Sequence, residues 1–378
     1  MVLYNPQNAK DVCDIISGAL AGGGKLEIIG GGTRTDFGAP NRETDRLSLK
    51  SLSGIIDYNP SELVLTARAG TPLTELNEEV SARGQGFAFE PWGAFMSTIG
   101  GVIAAGVSGP RRISAGAVRD HLLGFEAVSG RGESFRGGAK VVKNVTGYDL
   151  PKLLCGSWGR LAALTEVTLK VLPRPPERLT LLWRGLADEL GFALMRKAMR
   201  QPVDVAAAAH LPGQATLIRL DGFGPSVASR RAHLNAVLTK YGAPEAMDEA
   251  EAAPLWATCQ GGGALPSGPP LWRLSLPPRR ALASIAPLLA MGGDYVADWA
   301  GGLIWLSLAG HEEVIRQRAA HVGGHATLAR APAELRERLP ALHPQPPAIE
   351  ALYRRIRRAF DPLGVFETNR FLDETNAD

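Results

Sequence analysis

Three glycine-bearing stretches hold the residues whose types and spacing suit ligand chemistry. The first, GGGTRTDFG at 30–38, follows the apolar run Leu26 to Ile29. Consecutive glycines let a backbone turn sharply and aim several N–H groups at one point, and such a nest binds phosphate oxygens without a cation. A tight turn with no ligand would use the same residues. It is not a Walker loop, because Gly24-Lys25 is followed by Leu26, and no G-x-G-x-x-G occurs here. The second stretch, PWGAFMSTIGGVIAAGVSGPRR at 91–112, offers Thr98 as the cap of a helix walled by Gly100, Gly101, Ala104 and Ala105. Small residues there admit a flat ligand or another backbone, and a helix N-terminus attracts anions. Close helix–sheet packing is the alternative. The third, KVVKNVTGYDLPKLLCGSWGRLAALTEVTLKVL at 140–172, mixes glycines, a polar turn and a closing strand.

Other chemistries are excluded by count and spacing. Cys13, Cys155 and Cys259 are too scattered for a C-x-x-C motif and too few for an iron–sulfur cluster. Their low, odd number points to reduced thiols in a cytosol. Forty-one basic against 38 acidic residues, a net charge of +3, is no nucleic-acid footprint. The densest basic cluster, Arg354, Arg355, Arg357 and Arg358, reads as a solvated face of an amphipathic helix. The start, MVLYNPQNAKDV, lacks the apolar core of a signal peptide, and no apolar run approaches the roughly 18 residues of a membrane span.

These stretches need elements to position them. With 378 residues, 45% apolar and 21% charged, the chain has a soluble globular composition and room for two domains. Asn5-Pro6 reads as an N-cap and first helical residue, with Val12, Ile15, Ile16, Ala19 and Leu20 at helical spacing up to Gly22. Leu63 to Ala69 reads as a strand, and Thr71-Pro72 as the cap of a helix bearing Leu73, Leu76 and Val80 and ending at Gly84. Pro173, Pro175 and Pro176 put a domain boundary near 173. Beyond it one pattern occurs twice. Strand 178–184, helix 187–200, strands 203–210 and 214–221 and helix 225–241 form the first unit. Strand 271–276, helix 278–290, strands 294–299 and 302–308, helix 311–320 and strand 325–329 form the second, with 243–270 an irregular excursion between them. Two β-α-β-β-α units imply a duplicated ferredoxin-like layer, an antiparallel sheet with helices on one side. Residues 353–371 read as a short helix, a Pro-Leu-Gly turn and an extended tail.

Together the clusters carry a family resemblance. GGGTRTDFG resembles the pyrophosphate loop of flavoproteins of the vanillyl-alcohol-oxidase type, and STIGG resembles their second FAD-binding stretch. KNVTGYDLPKLLCGSWGRLAALTEVTLKV is similar to their KN-GYDL-KL-GSEG-LG-ITE-TLK pattern, and FDPLGVFETNR to their terminal FDP-G-FNPGR. WRLSLPP at 272–278 and GGHATLARAP at 323–332 resemble the smaller FAD-binding subunit of bacterial glycolate oxidase. The resemblance implies an α+β chain: a PCMH-type, two-subdomain FAD-binding domain over 1–172, the duplicated α/β cap over 173–345, and an arm over 346–378 returning to the flavin domain. It implies FAD contacts from Gly30, Gly31, Gly32, Thr33, Arg34, Thr35, Pro91, Thr98, Ile99, Gly100, Gly101, Ala104, Ala105, Gly106, Gly159 and Asn369, and no metal. It implies a larger FAD subunit and an iron–sulfur subunit as partners, and glycolate oxidised to glyoxylate with electrons leaving through the flavin. The implied location is cytoplasmic, or peripheral at the inner membrane through partners. A self-sufficient 2-hydroxy-acid dehydrogenase and a non-catalytic assembly subunit are the alternatives.

The departures from the pattern carry chemistry too. GSEG reads GSWG, with Trp158 in place of the acid, and FNPGR reads FETNR. Thr35 and Asp36 stand where covalently flavinylated relatives carry a His, so FAD is expected to be non-covalent. The H-x-G-D-G-N-x-H signature of the large 2-hydroxy-acid-oxidising relatives is missing, and its nearest string, HVGGH at 321–325, lacks the Asp and Asn. Such an oxidation needs a base at the hydroxyl, a cation at the carboxylate and the carbon held against the flavin. Arg273 offers the cation, or else an interdomain or surface ion pair. His325 offers the base, or else a hydrogen-bonded structural imidazole. Tyr148 is expected near the flavin or in the core, and Asp120-His121 in turn chemistry. The sequence thus assigns the oxidation to the partner, with little by this chain alone.

Overall fold

The computed structural model describes residues 1–41, 43–93, 96–139 and 148–371. The KNVTG part of the third cluster, 143–147, lies outside the described residues. The chain begins with two layers. Strands Leu3–Tyr4, Asp45–Ser48 and Leu26–Ile29 lie side by side in that order as a parallel sheet. Helix Ala9–Ala21 packs Val12 and Ile16 against Leu26 and Leu47. Its cap is Asn8, not Asn5: the Asn8 side chain accepts from the Asp11 amide at 3.0 Å, the spacing that satisfies an orphan first-turn donor. The second layer is an antiparallel sheet of Ile55–Asn59, Val64–Arg68, Ala162–Lys170, Leu122–Ser129 and Ser134–Gly138. Helices Leu73–Ala82 and Ile99–Ala105 bury Leu73, Leu76, Val80, Ile99 and Ile103 on it. Thr71 does not cap the first of these. Its hydroxyl donates to Arg68 O and accepts from the Gly54 amide, and Pro72 takes the N-cap position.

Leu172–Pro173 pairs with Gln85–Gly86, and the following strands belong to one eight-stranded antiparallel sheet. Its spatial order is Glu245–Met247, Glu177–Arg184, Ala215–Gly222, Ala207–Leu211, Asp294–Asp298, Leu303–Ser307, Leu271–Ser275 and His325–Arg330. Each half runs strand, helix, strand, strand, helix, strand, and the second half mirrors the order of the first across a seam where His210 pairs with Ala297. Strand alternation gives this sheet two faces. Trp272, Leu274, Ile304 and Leu306 point to helices Asp188–Ala198, Gly224–Val237, Ala281–Ala290 and Glu312–His321. Leu271, Arg273 and Ser275 take the opposite face.

The segment 243–270 is not simply irregular. It supplies the strand Glu245–Met247 and the helix Glu249–Cys259. A capping box starts that helix, with Asp248 Oδ1 accepting from Glu251 N at 2.9 Å and Glu251 Oε2 from Asp248 N at 3.0 Å. Its Trp256 and Cys259 pack in one cluster with Leu182, Ala209 and Leu217 of the first repeat and Val296, Leu303 and Trp305 on the inner strands of the second. Trp256 Nε1 donates to Thr180 Oγ1 at 2.9 Å. The outermost strands of the second repeat keep a polar face instead, which lines a cavity described below.

The arm returns to both N-terminal layers. Helix Pro347–Phe360 lays Ile356 and Phe360 on the five-stranded sheet's core. Asp361 accepts from the Val365 and Phe366 amides at 2.9 and 2.8 Å, and those two residues enter the core of the parallel layer. The basic face is only partly solvated: Arg354, Arg355 and Arg358 are exposed, whereas Arg357 is buried against Glu350 and Glu367. Among the described residues no helix is long and apolar enough to cross a membrane.

Candidate functional site

Two neighbouring cavities share Trp158. The first is a cleft between the two N-terminal layers, with Ile28, Ile29 and Leu49 from one and Ala69, Ala162 and Leu164 from the other. Gly30, Gly31, Gly32, Thr33, Arg34 and Thr35 form one rim, Thr98, Gly100, Gly101, Ala104 and Ala105 the facing wall, and Gly159 sits beside Trp158. Four predicted contacts do not line it. Ile99 points into the core, and Pro91 borders a separate hollow beside Glu90. Gly106 ends the helix at φ 63, where a Cβ would come within 2.9 Å of Gly156 Cα. Asn369, at φ 58 and exposed, turns the chain so that Arg370 points inward.

The glycines divide by role. A Cβ on Gly30 would sit 2.3 Å from Thr98 Oγ1, one on Gly31 2.0 Å from Met96 O, and one on Gly100 2.8 Å from Ala69, so these three permit close packing. Gly32 differs: φ is +74 and nothing lies within 4 Å of where its Cβ would be. The amides of Gly31, Gly32 and Thr33 donate to no protein acceptor among the described residues. The helix opposite offers no such donors. Ile99 N is bonded to Thr71 O, Gly100 N to Ala69 O and Gly101 N to Thr98 Oγ1. It contributes a smooth wall of small residues, and the unbonded amides facing the cleft come from the loop alone. Free amides, an open left-handed glycine and a wall with no side chain beyond Cβ fit a dinucleotide pyrophosphate.

The sequence names Arg34 as a contact and Trp158 as a departure, but not Arg370, Phe37 and Phe371, which with them hold this loop. Arg370 is buried, donating to Phe37 O at 2.8 Å and to Arg34 O, with Glu27 at 3.2 Å. The final Arg of FETNR was its only trace. Arg34 lies 3.8 Å over the Trp92 ring and donates to Trp92 O, and burial lowers its pKa to about 10. Trp158, at φ 58, stacks on Phe37 with centroids 4.0 Å apart, and Phe371 lies 6.0 Å from both. Its amide is tied to Ala104 O at 2.8 Å, fixing the GSWG turn to the end of the small-residue helix.

The second cavity, about 700 Å³, lies between the GSWG turn, the cap sheet and the arm. It brings together both catalytic candidates, Arg273 and His325, with Ser275, Thr327, His343 and Phe371. Arg273 has no carboxylate within ion-pair distance among the described residues, and its Nε is without a hydrogen-bond partner. Burial, then the like charge of Arg112, lowers its pKa to about 10, while Asp298 acts in the opposite sense. Asp298 is 1% exposed, and burial raises its pKa to about 7. The His325 ring is exposed and lies 5.4 Å from that of His343. His343 Nδ1 accepts from Ala326 N at 3.2 Å, and burial, His325 and Arg316 together depress its pKa. Cys155 borders the cavity, but burial pushes its thiol up to about 12, so it stays protonated. Tyr148 is 91% exposed and packs in neither place expected for it. Asp120 Oδ2 accepts from Ala117 N and His121 Nε2 meets Ala115 O, both at 2.8 Å, which is turn chemistry.

Polar contacts join the cap to the N-terminal part of the chain. Arg219 pairs with Glu90 at 2.9 Å, Arg111 with Asp221 at 3.2 Å, and Ser114 Oγ donates to Ala206 O at 2.8 Å. Among the described residues no three His, Cys, Asp or Glu side chains are placed to hold a metal.

Comparison with known proteins places this geometry. Residues 2–138 match the FAD binding domain family. The chain is 33% identical over 355 residues to glycolate oxidase subunit GlcE of Escherichia coli strain K12, covering 92% of this chain and 93% of that protein. A D-lactate dehydrogenase of Archaeoglobus fulgidus is 32% identical over 206 residues, 54% of this chain and 44% of its own length. Glycolate oxidase subunit GlcD of Bacillus subtilis is 29% identical over 219 residues, 57% of this chain and 44% of its own. Among solved structures, alkyldihydroxyacetonephosphate synthase superposes with a TM-score of 0.67 over 96% of this chain and 75% of that one, at 14% identity, a likeness of fold alone.

Proposed function

The chain belongs to the family of FAD-binding glycolate oxidase subunits, and from that premise we propose that it holds FAD non-covalently within a glycolate-oxidising complex and presents substrate with a pocket of its own. As a member of that family it is an FAD-linked oxidoreductase. The observation that carries the reading is Arg273, a deep-set cation without an anionic partner, opening into a cavity beside the cofactor cleft. Buried charges are ordinarily paired. A small 2-hydroxy carboxylate supplies the missing anion.

The roles follow from placement. The amides of Gly31, Gly32 and Thr33 hold the pyrophosphate oxygens, and Gly101 and Ala104 leave room on the other side. FAD, when bound, supplies the hydride-accepting chemistry that no side chain here provides. Arg273 takes the carboxylate and thereby orients the hydroxyl-bearing carbon. His325, at the same cavity, is placed to accept the hydroxyl proton. Phe37, Trp158 and Phe371 screen the junction of the two cavities from water. The three dispersed cysteines leave onward electron transfer to a partner that carries iron–sulfur centres. The unpaired Arg273 supports oxidation at this chain's pocket, against the sequence expectation that gives the chemistry to the partner.

The test is anaerobic addition of glycolate to the purified, FAD-loaded chain. Loss of the oxidised flavin's visible absorbance is expected. A flavin that stays oxidised alone yet is reduced once the partners are added would make this subunit a relay. Denaturation and filtration should release the yellow colour, and colour retained by the precipitated protein would reject non-covalent binding.

A further inference from the structure

Trp299 follows the buried Asp298 at the end of a cap strand, and both Trp299 and Ala300 have φ of 54. Two consecutive non-glycine residues in the left-handed region are strained, and such strain persists only where the surroundings over-determine it. Here they do so from three sides. Asp298 Oδ1 accepts from the Trp299 amide at 2.7 Å. The indole Nε1 crosses the domain boundary and donates to Gly109 O at 3.0 Å. The Arg273 guanidinium lies 5.1 Å from the ring centroid, and that of Arg112, from the flavin domain, 6.0 Å from it.

The partner of that indole is itself fixed. A Cβ on Gly109 would sit 2.0 Å from Glu90 O, so its carbonyl belongs to a tightly packed segment. That segment leads directly from the helix Ile99–Ala105, which walls the cofactor cleft. A continuous path therefore runs from the cofactor wall through Gly109 and the indole to Arg273. We infer that Trp299 is a positioning residue for substrate: its ring carries the Arg273 guanidinium, and its indole N–H sets that cation in register with the flavin domain. The inference rests on the reading of Arg273 as the carboxylate site and adds what aims it. The ring restricts the guanidinium to one orientation through a cation–π contact, which is stronger where water is excluded. The hydrogen bond makes that orientation depend on a seated cap.

Two substitutions separate the functions. Trp299→Phe keeps an aromatic ring and deletes the N–H; Trp299→Leu deletes both. Each is titrated calorimetrically with oxalate, a two-carbon carboxylate with no carbon–hydrogen bond to oxidise, in the folded, FAD-loaded chain, and then assayed with glycolate in the assembled complex. Trp299→Leu should weaken oxalate by about three- to tenfold. Trp299→Phe should bind oxalate within about twofold of wild type yet lose kcat, because the anion is still held but no longer in register. Flavin content should be unchanged in both. Wild-type oxalate affinity in folded Trp299→Leu would overturn the inference, as would equal losses of kcat and affinity in both variants. Arg273→Ala, run alongside, distinguishes the failures. If it also binds oxalate normally, the carboxylate reading itself falls; if it alone loses oxalate, only the role of Trp299 falls.

Discussion

The cleft beside Gly32 and the pocket beneath Arg273 touch at Trp158 but are built from different material. The cleft's two rims are backbone and small residues, free amides on one side and glycines and alanines on the other, from the first 165 residues, with Arg370 as the one lining residue that the arm adds. The pocket sets charged and aromatic side chains, Arg273, His325, His343 and Phe371 among them, in an apolar lining drawn from three separated parts of the chain. Backbone donors cannot titrate, whereas buried side-chain charges can. Under the proposed function this suits the cleft to an invariant polyphosphate group, and the pocket to chemistry in which protons and charge move. The cap explains the asymmetry further. Its two repeats share one topology, but helix Glu249–Cys259 covers the first and the inner strands of the second, and the second's outer strands are left to line the pocket.

The largest expected effect tests the cleft. Gly32→Val places a β-branched residue at φ +74 and a side chain in the open space above the loop. FAD affinity should fall about a thousandfold or more, from strain and exclusion together. Flavin titration of a variant shown to be folded by circular dichroism is the check, and undiminished affinity would make the loop a structural turn. Gly101→Leu should act in the same direction but less, because its Cβ meets only Thr98 Oγ1, at 3.2 Å.

Arg273→Ala should do the opposite: leave flavin occupancy intact and lower kcat/KM for glycolate by about a hundredfold or more, the scale of a lost charge-assisted pair. Loss of flavin together with activity would blur the distinction between the two cavities. Next in size is Asp298→Asn, read as stability. Burial raises the Asp298 carboxyl from 3.8 to about 7. Between those values the folded protein keeps a proton that the unfolded chain has lost, so this group makes stability fall as pH rises through the window, and the loss is complete above it. Asn keeps an oxygen for the Trp299 amide and removes the titration. The variant should gain roughly 1–3 kcal/mol relative to wild type at pH about 8 and little at pH about 4. Denaturant midpoints at the two pH values give the slope, and parallel slopes would reject Asp298 as its source. FAD affinity in the cleft should show no matching step.

The same division of material explains what the sequence disclosed. GGGT and STIGG were legible because a backbone nest and a small-residue wall need glycine and alanine at fixed local positions. The helix amides were misread as donors because their partners, Thr71 O and Ala69 O, belong to a loop nearly 30 residues earlier. Periodicity gave the cap's strands and helices to within a few residues, but it passed over Glu249–Cys259, because the Ala, Gly and Pro content of the stretch 243–270 around it hid a capping box. Arg273 and His325 were named only as loose candidates. Their meaning depends on strand register, Arg273 lying opposite Thr327 and Ser275 opposite His325, which local spacing does not encode. Asp298 and Trp299 had no local signature at all, since burial and a left-handed backbone are products of the packed cap.

The smallest expected effect compares two imidazoles within the pocket. His325 and His343 lie 5.4 Å apart and both line it, so either ring meets the first condition for a base. Their hydrogen bonding separates them. His343 Nδ1 already accepts the Ala326 amide, which leaves the proton of the neutral ring on Nε2. Its depressed pKa keeps it neutral, so it presents a donor to the cavity and has no free lone pair for a substrate proton. His325 has no such tie and is exposed, which also lets water compensate in part when it is removed. His325→Ala should therefore lower kcat by about tenfold to a hundredfold, at or below the lower end of what a positioned base contributes. His343→Gln, which keeps a donor, should leave kcat/KM within about threefold. The relative size of the two losses decides between them. The loss of kcat should be the larger in His325→Ala; a larger loss in His343→Gln would mean that the tethered ring is the base and that the Ala326 bond breaks during turnover.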